Sequence, residues 1–240
     1  MHIVKNFFVR LWRFCKILFL VLFILQLVYI VLLKWINPPV TLTQLNSLLQ
    51  GNGLKRDYVA AEKISPNAGL AIIASEDQLF TDHKGFDWKS IQKAIEKNQK
   101  KKNRIRGAST ISQQVAKNVF LWQSRNWLRK GLETYFTFMI EWIWGKERIL
   151  EVYLNVAEMG KGVFGIEAAA RHYFKKPAAK LSRTEAAMIA SSLPNPVIYT
   201  VKPLSRFVAV RYPWVLLQMN NLQDDADIQK VLPGPKTRSN

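Results

Sequence analysis

Cysteine is nearly missing from this chain: Cys15 is the only one among 240 residues. That excludes a disulfide framework and any cysteine-rich zinc module. Histidine is scarce as well, and His2, His83 and His172 stand too far apart for a spaced zinc motif. Acidic residues are outnumbered 17 to 35 by Lys and Arg, which leaves a formal charge of +18. With 49 % hydrophobic and 22 % charged residues, the chain is not disordered. A surplus of positive charge on a folded chain calls for an anionic partner, either nucleic acid or a phosphate-bearing membrane surface.

The N-terminus separates those two. From Ile17 to Leu33 an apolar run is interrupted only by Gln26, and Leu11, Trp12 and Phe14 extend it backwards. This is the short end of a membrane span of roughly 17–25 residues. Lys5, Arg10, Arg13 and Lys16 precede the run without an acid, and Lys34 and Trp35 follow it. The basic flank puts residues 1–16 in the cytoplasm, a transmembrane anchor at 17–35 and one extracytoplasmic domain at 36–240. A cleaved signal peptide is the competing reading. It fits less well, because the run exceeds the usual apolar region of roughly 7–15 residues and no small-x-small cleavage site follows. Residues 1–34 carry five basic residues and no acid, so the other 206 still hold +13. Outside the membrane, nucleic acid is not the expected partner; lipid head groups and lipid-linked phosphates are.

Beyond Pro38-Pro39, helical signals dominate. A polar stretch to about Asn52 reads as a stalk or a first helix. Ser65-Pro66 opens a helix through Ala68–Ser75, with Pro at its first position. Trp88, Ile91, Ala94 and Ile95 recur at helical spacing; Leu132, Phe136, Met139, Ile140 and Ile143 mark another face, and Ile149, Leu150, Tyr153 and Leu154 a third. Thr110 with Gln113 and Ser182 with Glu185 read as capping boxes. Period-two alternation over strand length is scarce, so the outer domain is expected to be mainly α-helical.

Residues 97–106 hold six basic residues and no acid (Lys97, Lys100, Lys101, Lys102, Arg104, Arg106). Such a run is either a solvated loop or a phosphate-facing one. Aromatics crowd Phe120–Trp127 and Tyr135–Trp144, to be divided between core and a patch that dips into a bilayer interface.

Three segments can carry chemistry. Glu76-Asp77 stands where an apolar helix ends, and a carboxylate half desolvated by an apolar wall has a raised pKa suited to a general base. Read by themselves, these acids are equally a solvated helix end, and His83 a turn clasp. Gly107 ahead of Ser109 and Thr110 makes an anion-binding helix start, while Gln113, Gln114, Lys117 and Asn118 fall on one side of the helix that follows. Two amides, an ammonium and a third amide suit a sugar or a phosphate; a plain solvent face is the alternative. Arg129, Lys130 and Glu133 form either a surface ion pair or a cationic clamp oriented by its carboxylate.

Together these segments resemble the glycosyltransferase module that polymerises peptidoglycan, found in bifunctional penicillin-binding proteins and in monofunctional transglycosylases. Glu76 to Gly85 matches E-D-x-x-F-x-x-H-x-G, and Gly107 to Asn118 matches G-x-S-T-I-x-Q-Q-x-x-K-N. Arg129 to Glu133 matches R-K-x-x-E, and Lys146 to Asn155 matches K-x-x-I-L-E-x-Y-L-N. A looser block around Leu193-Pro194-Asn195-Pro196 and Tyr199 also fits, so the likeness runs from Ser65 to Pro203. Ala108 and Ser112 stand where Gly and Thr are common. The resemblance implies an all-α, lysozyme-like bilobed domain behind a single N-terminal transmembrane helix, with a cleft between a large lobe and a small membrane-associated jaw. It implies inverting transfer of a growing glycan from undecaprenyl diphosphate to the sugar 4-hydroxyl of lipid II, making β-1,4 bonds. Glu76 would be the base and Glu133 the second catalytic carboxylate. Asp77, Ser109, Thr110, Gln113, Gln114, Lys117, Asn118, Arg129 and Lys130 would bind substrate. No covalent cofactor is implied; a divalent cation, Mg or Mn, would have its place near Glu133. Expected partners are lipid II, the lipid-linked glycan, membrane lipid and other wall-synthesis proteins, in the inner membrane with the domain on the periplasmic side.

Two further readings stay open on residues alone. Ser90-Ile91-Gln92-Lys93 matches the S-x-x-K of a transpeptidase, but no K-T-G follows, so it reads as coincidence on an amphipathic helix. A lytic enzyme sharing the fold would have no use for cations at a leaving diphosphate, and a non-catalytic scaffold would use the basic surface alone.

Overall fold

The structure, a computed structural model, describes residues 2–100, 108–124 and 126–235, with side chains from residue 6 to 97 in the first stretch. The basic run beyond Lys97, from Lys100 to Arg106, and Gly107 lie outside the described side chains. The chain divides into two compact units, Met1–Asn37 and Pro38–Asn240.

The first unit is helix α1, His2–Leu32, whose stretch Asn6–Leu32 is long and apolar enough to cross a membrane. It fits a single-pass anchor.

The second unit is mainly α, as the helical periodicity leads one to expect. Helix α2 (Leu42–Leu49) occupies the polar stretch and opens on a Thr41–Gln44 capping box. Helix α3 (Pro66–Glu76) starts at the Ser65 cap with Pro66 in its first turn, and Ala68 to Ala74 are all buried. Its apolar residues point every way because it is enclosed: α7 (Lys146–Val156) packs on one part of it, and α9 (Arg183–Ser192) and α10 (Arg206–Leu222) on others. Cutting Ile72 or Ile73 back to Ala would leave a cavity costing about 2–5 kcal/mol. Helix α4 (Trp88–Lys100) is amphipathic and basic. Helix α5 (Ile111–Phe120) opens on the Thr110–Gln113 capping box and packs on α6 (Trp127–Ile143) and on α7. Since α3 and α5 both lean on α7, their ends meet around it, and this positions the site.

Three very short strands, β1 (Lys55–Arg56), β2 (Glu158–Gly160) and β3 (Val163–Phe164), form a sheet of order β1-β3-β2. β3 is parallel to β1, with Lys55 opposite Val163, and antiparallel to β2. Asn155 ties the segment before α3 to α7: its side chain accepts the Val59 N–H at 2.9 Å and donates to the Val59 carbonyl at 3.0 Å. Helices α8 (Ile166–Phe174) and α11 (Ala226–Val231) complete the unit. Asp225 caps α11 by accepting the N–H groups of Asp227 and Ile228.

The aromatics divide between core and surface. Phe120 stacks on Phe136 at 4.6 Å, and Leu121 and Trp144 are buried. Trp127, Phe138 and Trp142 are exposed, and their spacing puts all three on one side of α6.

Candidate active site

Helix α3 ends at Asp77, whose backbone leaves helical geometry (φ −162°, ψ 78°). The last residue inside the helix is Glu76. One carboxylate oxygen, Oε2, accepts Gln114 Nε2 at 2.9 Å, and Oε1 accepts the Ser75 hydroxyl at 3.2 Å. Burial pushes the Glu76 carboxyl above its ordinary value; Gln114, the Arg211 charge and Ser75 oppose that rise, and neighbouring Asp77 adds to it. Gln114 is itself held: the buried Tyr153 hydroxyl donates to its Oε1 at 3.2 Å, which fixes which end of the amide faces Glu76. Burial first, then the nearby Glu76 and Asp77 charges, push Tyr153 well above its usual value, so it stays a donor.

Asp77 holds the site together. Its Oδ2 accepts the backbone N–H of Ile111 at 3.0 Å, and His83 Nε2 lies 3.0 Å from its Oδ1. Gly85 N–H donates to His83 Nδ1 at 3.1 Å, so the ring proton sits on Nε2 and points at Asp77. Gly85 has φ +87°, and a Cβ there would meet Thr137 at 2.8 Å, which is why glycine closes this turn. Thr110 donates its hydroxyl to the Gly85 carbonyl at 2.7 Å and accepts the Gln113 N–H.

These bonds amend several expectations. The start of α5 does attract an anion, but the anion is Asp77. Asp77, Thr110 and Gln113 are buried with polar atoms bonded inside the protein, which fixes the geometry of the site. Gln113 turns into its capping box and leaves the polar side of α5 to Gln114, Lys117 and Asn118.

The cations form a second cluster. Glu133, 3 % exposed, accepts Arg129 Nη1 at 2.5 Å and also the Lys130 ammonium. Arg129 Nε is buried with no hydrogen-bond partner among the described residues. Lys117 lies between the two clusters: burial lowers its pKa, Glu133 and Glu76 raise it, and Arg129 and Lys130 lower it. Both Glu133 oxygens face cations, and among the described residues no group of three His, Cys, Asp or Glu side chains can hold a metal ion. The described residues around Glu133 therefore do not form a resident metal's ligand set.

Two cavities meet the Glu76–Gln114 pair. One, of about 510 Å³, is lined by Glu76, Asp77, Ser109 and Thr110 with Asp87, Ser90, Lys93 and Lys97. The other, of about 330 Å³, is lined by Gln114, Lys117, Asn118 and Tyr153 with Asn46, Gln50, Asn52, Gln123, Glu158 and Asn195. A carboxylate thus stands on one side of the Gln114 amide and an ammonium lines the cavity on the other.

A family model described as Transglycosylase matches residues 42–220, which hold both cavities and both charge clusters. The chain belongs to the transglycosylase family. It is similar to a protein of Shigella boydii named biosynthetic peptidoglycan transglycosylase, 53 % identical over 190 residues and 78 % of each chain. Proteins of the same name from Mannheimia succiniciproducens and Haemophilus influenzae are 56 % and 55 % identical, over 69 % and 73 % of this chain and 68 % and 73 % of theirs.

Within this transglycosylase, the structure brings Glu76, Gln114, Lys117 and Asn118 together and groups Arg129, Lys130 and Glu133 through ion pairs. Ser109 stands exposed at the rim of the larger cavity. Sequence reasoning missed Ser75 and Arg211, and it quoted Tyr153 without giving it a part. Tyr153 lay inside a recognised motif, but Arg211 is 136 residues from the serine it bonds, and no local pattern announces that contact.

Proposed function

We propose that this transglycosylase polymerises peptidoglycan glycan strands, transferring a growing glycan from its lipid diphosphate to the sugar 4-hydroxyl of lipid II. One observation carries the reading. A desolvated carboxylate, Glu76, is joined through Gln114 to a helix face whose ammonium, Lys117, is electrostatically coupled to the Arg129–Lys130–Glu133 cluster.

A sugar hydroxyl is a poor nucleophile at neutral pH and needs a base. Glu76, ionised but poorly solvated, takes its proton as the new bond forms at the donor's anomeric carbon. The bond from that carbon to the diphosphate breaks on the opposite face, so the configuration inverts. A glycosidase needs an acid for its leaving alkoxide, whereas a diphosphate leaves as a stable anion. What helps it leave is fixed positive charge where negative charge accumulates, and Lys117, Arg129 and Lys130 supply that. Glu133 then orients cations instead of donating a proton, in keeping with its two ion pairs.

The setting follows the same reading. α1 anchors the chain in the cytoplasmic membrane, with its basic end inside and the remaining unit outside. Exposed Trp127, Phe138 and Trp142 support shallow contact with lipid, where a lipid-linked substrate resides. Incubating the purified protein with labelled lipid II, and separately with isolated cell wall, tests the function. Lipid II consumed into long strands supports polymerisation; wall cleavage with lipid II untouched supports a lytic enzyme.

A further inference from the structure

Helix α10 reaches the base from beyond the short motifs, which end by Pro203, though still inside the stretch that the family model matches. Arg211 Nη2 donates to the Ser75 carbonyl at 3.2 Å and to the Ser75 hydroxyl oxygen at 3.2 Å. That hydroxyl has one proton and two acceptors at 3.2 Å, Glu76 Oε1 and the Ala190 carbonyl. The guanidinium lies 5.3 Å from the centre of the Trp214 ring, which holds it from its own helix. We infer that Arg211 is a positioning residue for the base: it clamps the last turn of α3 through Ser75 and sets a positive charge beside Glu76.

A tether alone does not explain a guanidinium here. Two bonds to one serine could be made by a neutral amide, which would bury no charge. Arg211 instead leaves its Nε buried without a partner among the described residues and forms no ion pair with a described carboxylate. What the site gains over an amide is the charge.

The groups around Glu76 show where that charge is needed. On its own helix are Ser75 and, at the cap, the anionic Asp77; from α7 comes the Tyr153 hydroxyl, and from α9 only the Ala190 carbonyl, through Ser75. From α5 come Gln114 and Lys117, but Lys117 also answers to Glu133, Arg129 and Lys130 and faces the arriving diphosphate. Arg211, from α10, is the cation not shared with that cluster, and it favours the ionised form against burial and Asp77.

This inference rests on Glu76 acting as the base, and the experiment separates the two. The full chain in detergent is assayed for kcat/KM with labelled lipid II across pH, as Arg211→Gln, Arg211→Lys and Glu76→Gln. Removing the cation is expected to move the acidic limb of the Arg211→Gln profile upward by about one pH unit. Below the limb the loss is then about tenfold, with recovery toward the parental rate at higher pH. Arg211→Lys is expected to shift the limb in the same direction by less, and it carries the test if Arg211→Gln loses the parental melting transition. An unmoved limb with a rate lowered equally at every pH would reduce Arg211 to a structural tether. Glu76→Gln at the parental rate would overturn the base itself, whereas an inert Glu76→Gln with unmoved Arg211 limbs would overturn this inference alone.

Discussion

The carboxylate of Asp77 accepts the backbone N–H of Ile111 at 3.0 Å, across 34 residues of chain. A charged group at the end of α3 thus fills the positive end of α5, and the two helices that bear Glu76 and Gln114 are fixed to each other. Asp77→Asn keeps the shape and removes the charge. It is expected to cost about 2 kcal/mol, lowering the melting temperature by about 4–8 °C, and to reduce polymerisation because the Glu76–Gln114 geometry slackens. Calorimetry checks the first effect; a melting temperature equal to the parent's would mean that this bond contributes nothing.

Tyr153→Phe removes the donor that keeps the Gln114 amide facing Glu76. The lost hydrogen bond is worth about 1 kcal/mol, so strand synthesis is expected to fall roughly five- to tenfold. Initial rates with labelled lipid II measure this, and an unchanged rate would show that Gln114 orients itself.

Glu76 is expected to lower stability while it serves catalysis. Its folded-state pKa lies above the ordinary carboxyl value because burial disfavours the charge. The sign follows from linkage: the stabilisation is complete below the unfolded carboxyl pKa and disappears as pH rises through the raised folded value. At neutral pH the ionised group is a burden, so Glu76→Gln is expected to melt higher than the parent there. The difference should shrink as pH falls from the raised folded value toward the ordinary carboxyl value. Melting curves of both proteins across that range decide it, and a variant that melts lower at neutral pH would contradict the sign.

Arg129→Lys keeps a cation beside Glu133 and discards the planar fork with its free Nε. A point charge cannot replace bidentate recognition of a diphosphate. The expected result is kcat/KM for lipid II lower by about tenfold or more, with the melting temperature held by the retained pair. Equal kinetics would reduce Arg129 to an ion pair of the α6 surface.

How far the sequence speaks depends on whether the deciding contact is local. Helices α3, α5 and α9 announce themselves because Ser65, Thr110 and Ser182 cap them within a few residues. The long apolar helix α1 is as plain, since length and apolarity alone mark it. Glu76, Lys117 and the Arg129–Glu133 group are legible through short motifs. What Asp77, Thr110 and Gln113 do is not, because a polar side chain facing a ligand and one closing a cap look the same in one dimension. Arg211 is beyond local reading for a simpler reason: its partner is Ser75, and only the packing of α10 on α3 brings them together.

The most direct test of the chemistry is gel analysis of glycan strands made from labelled lipid II by the purified full-length Glu76→Gln protein. The expected result is no strand beyond the starting lipid, from a protein that still folds and still binds lipid II. Strands formed at the parental rate would contradict the assignment of Glu76 as the base.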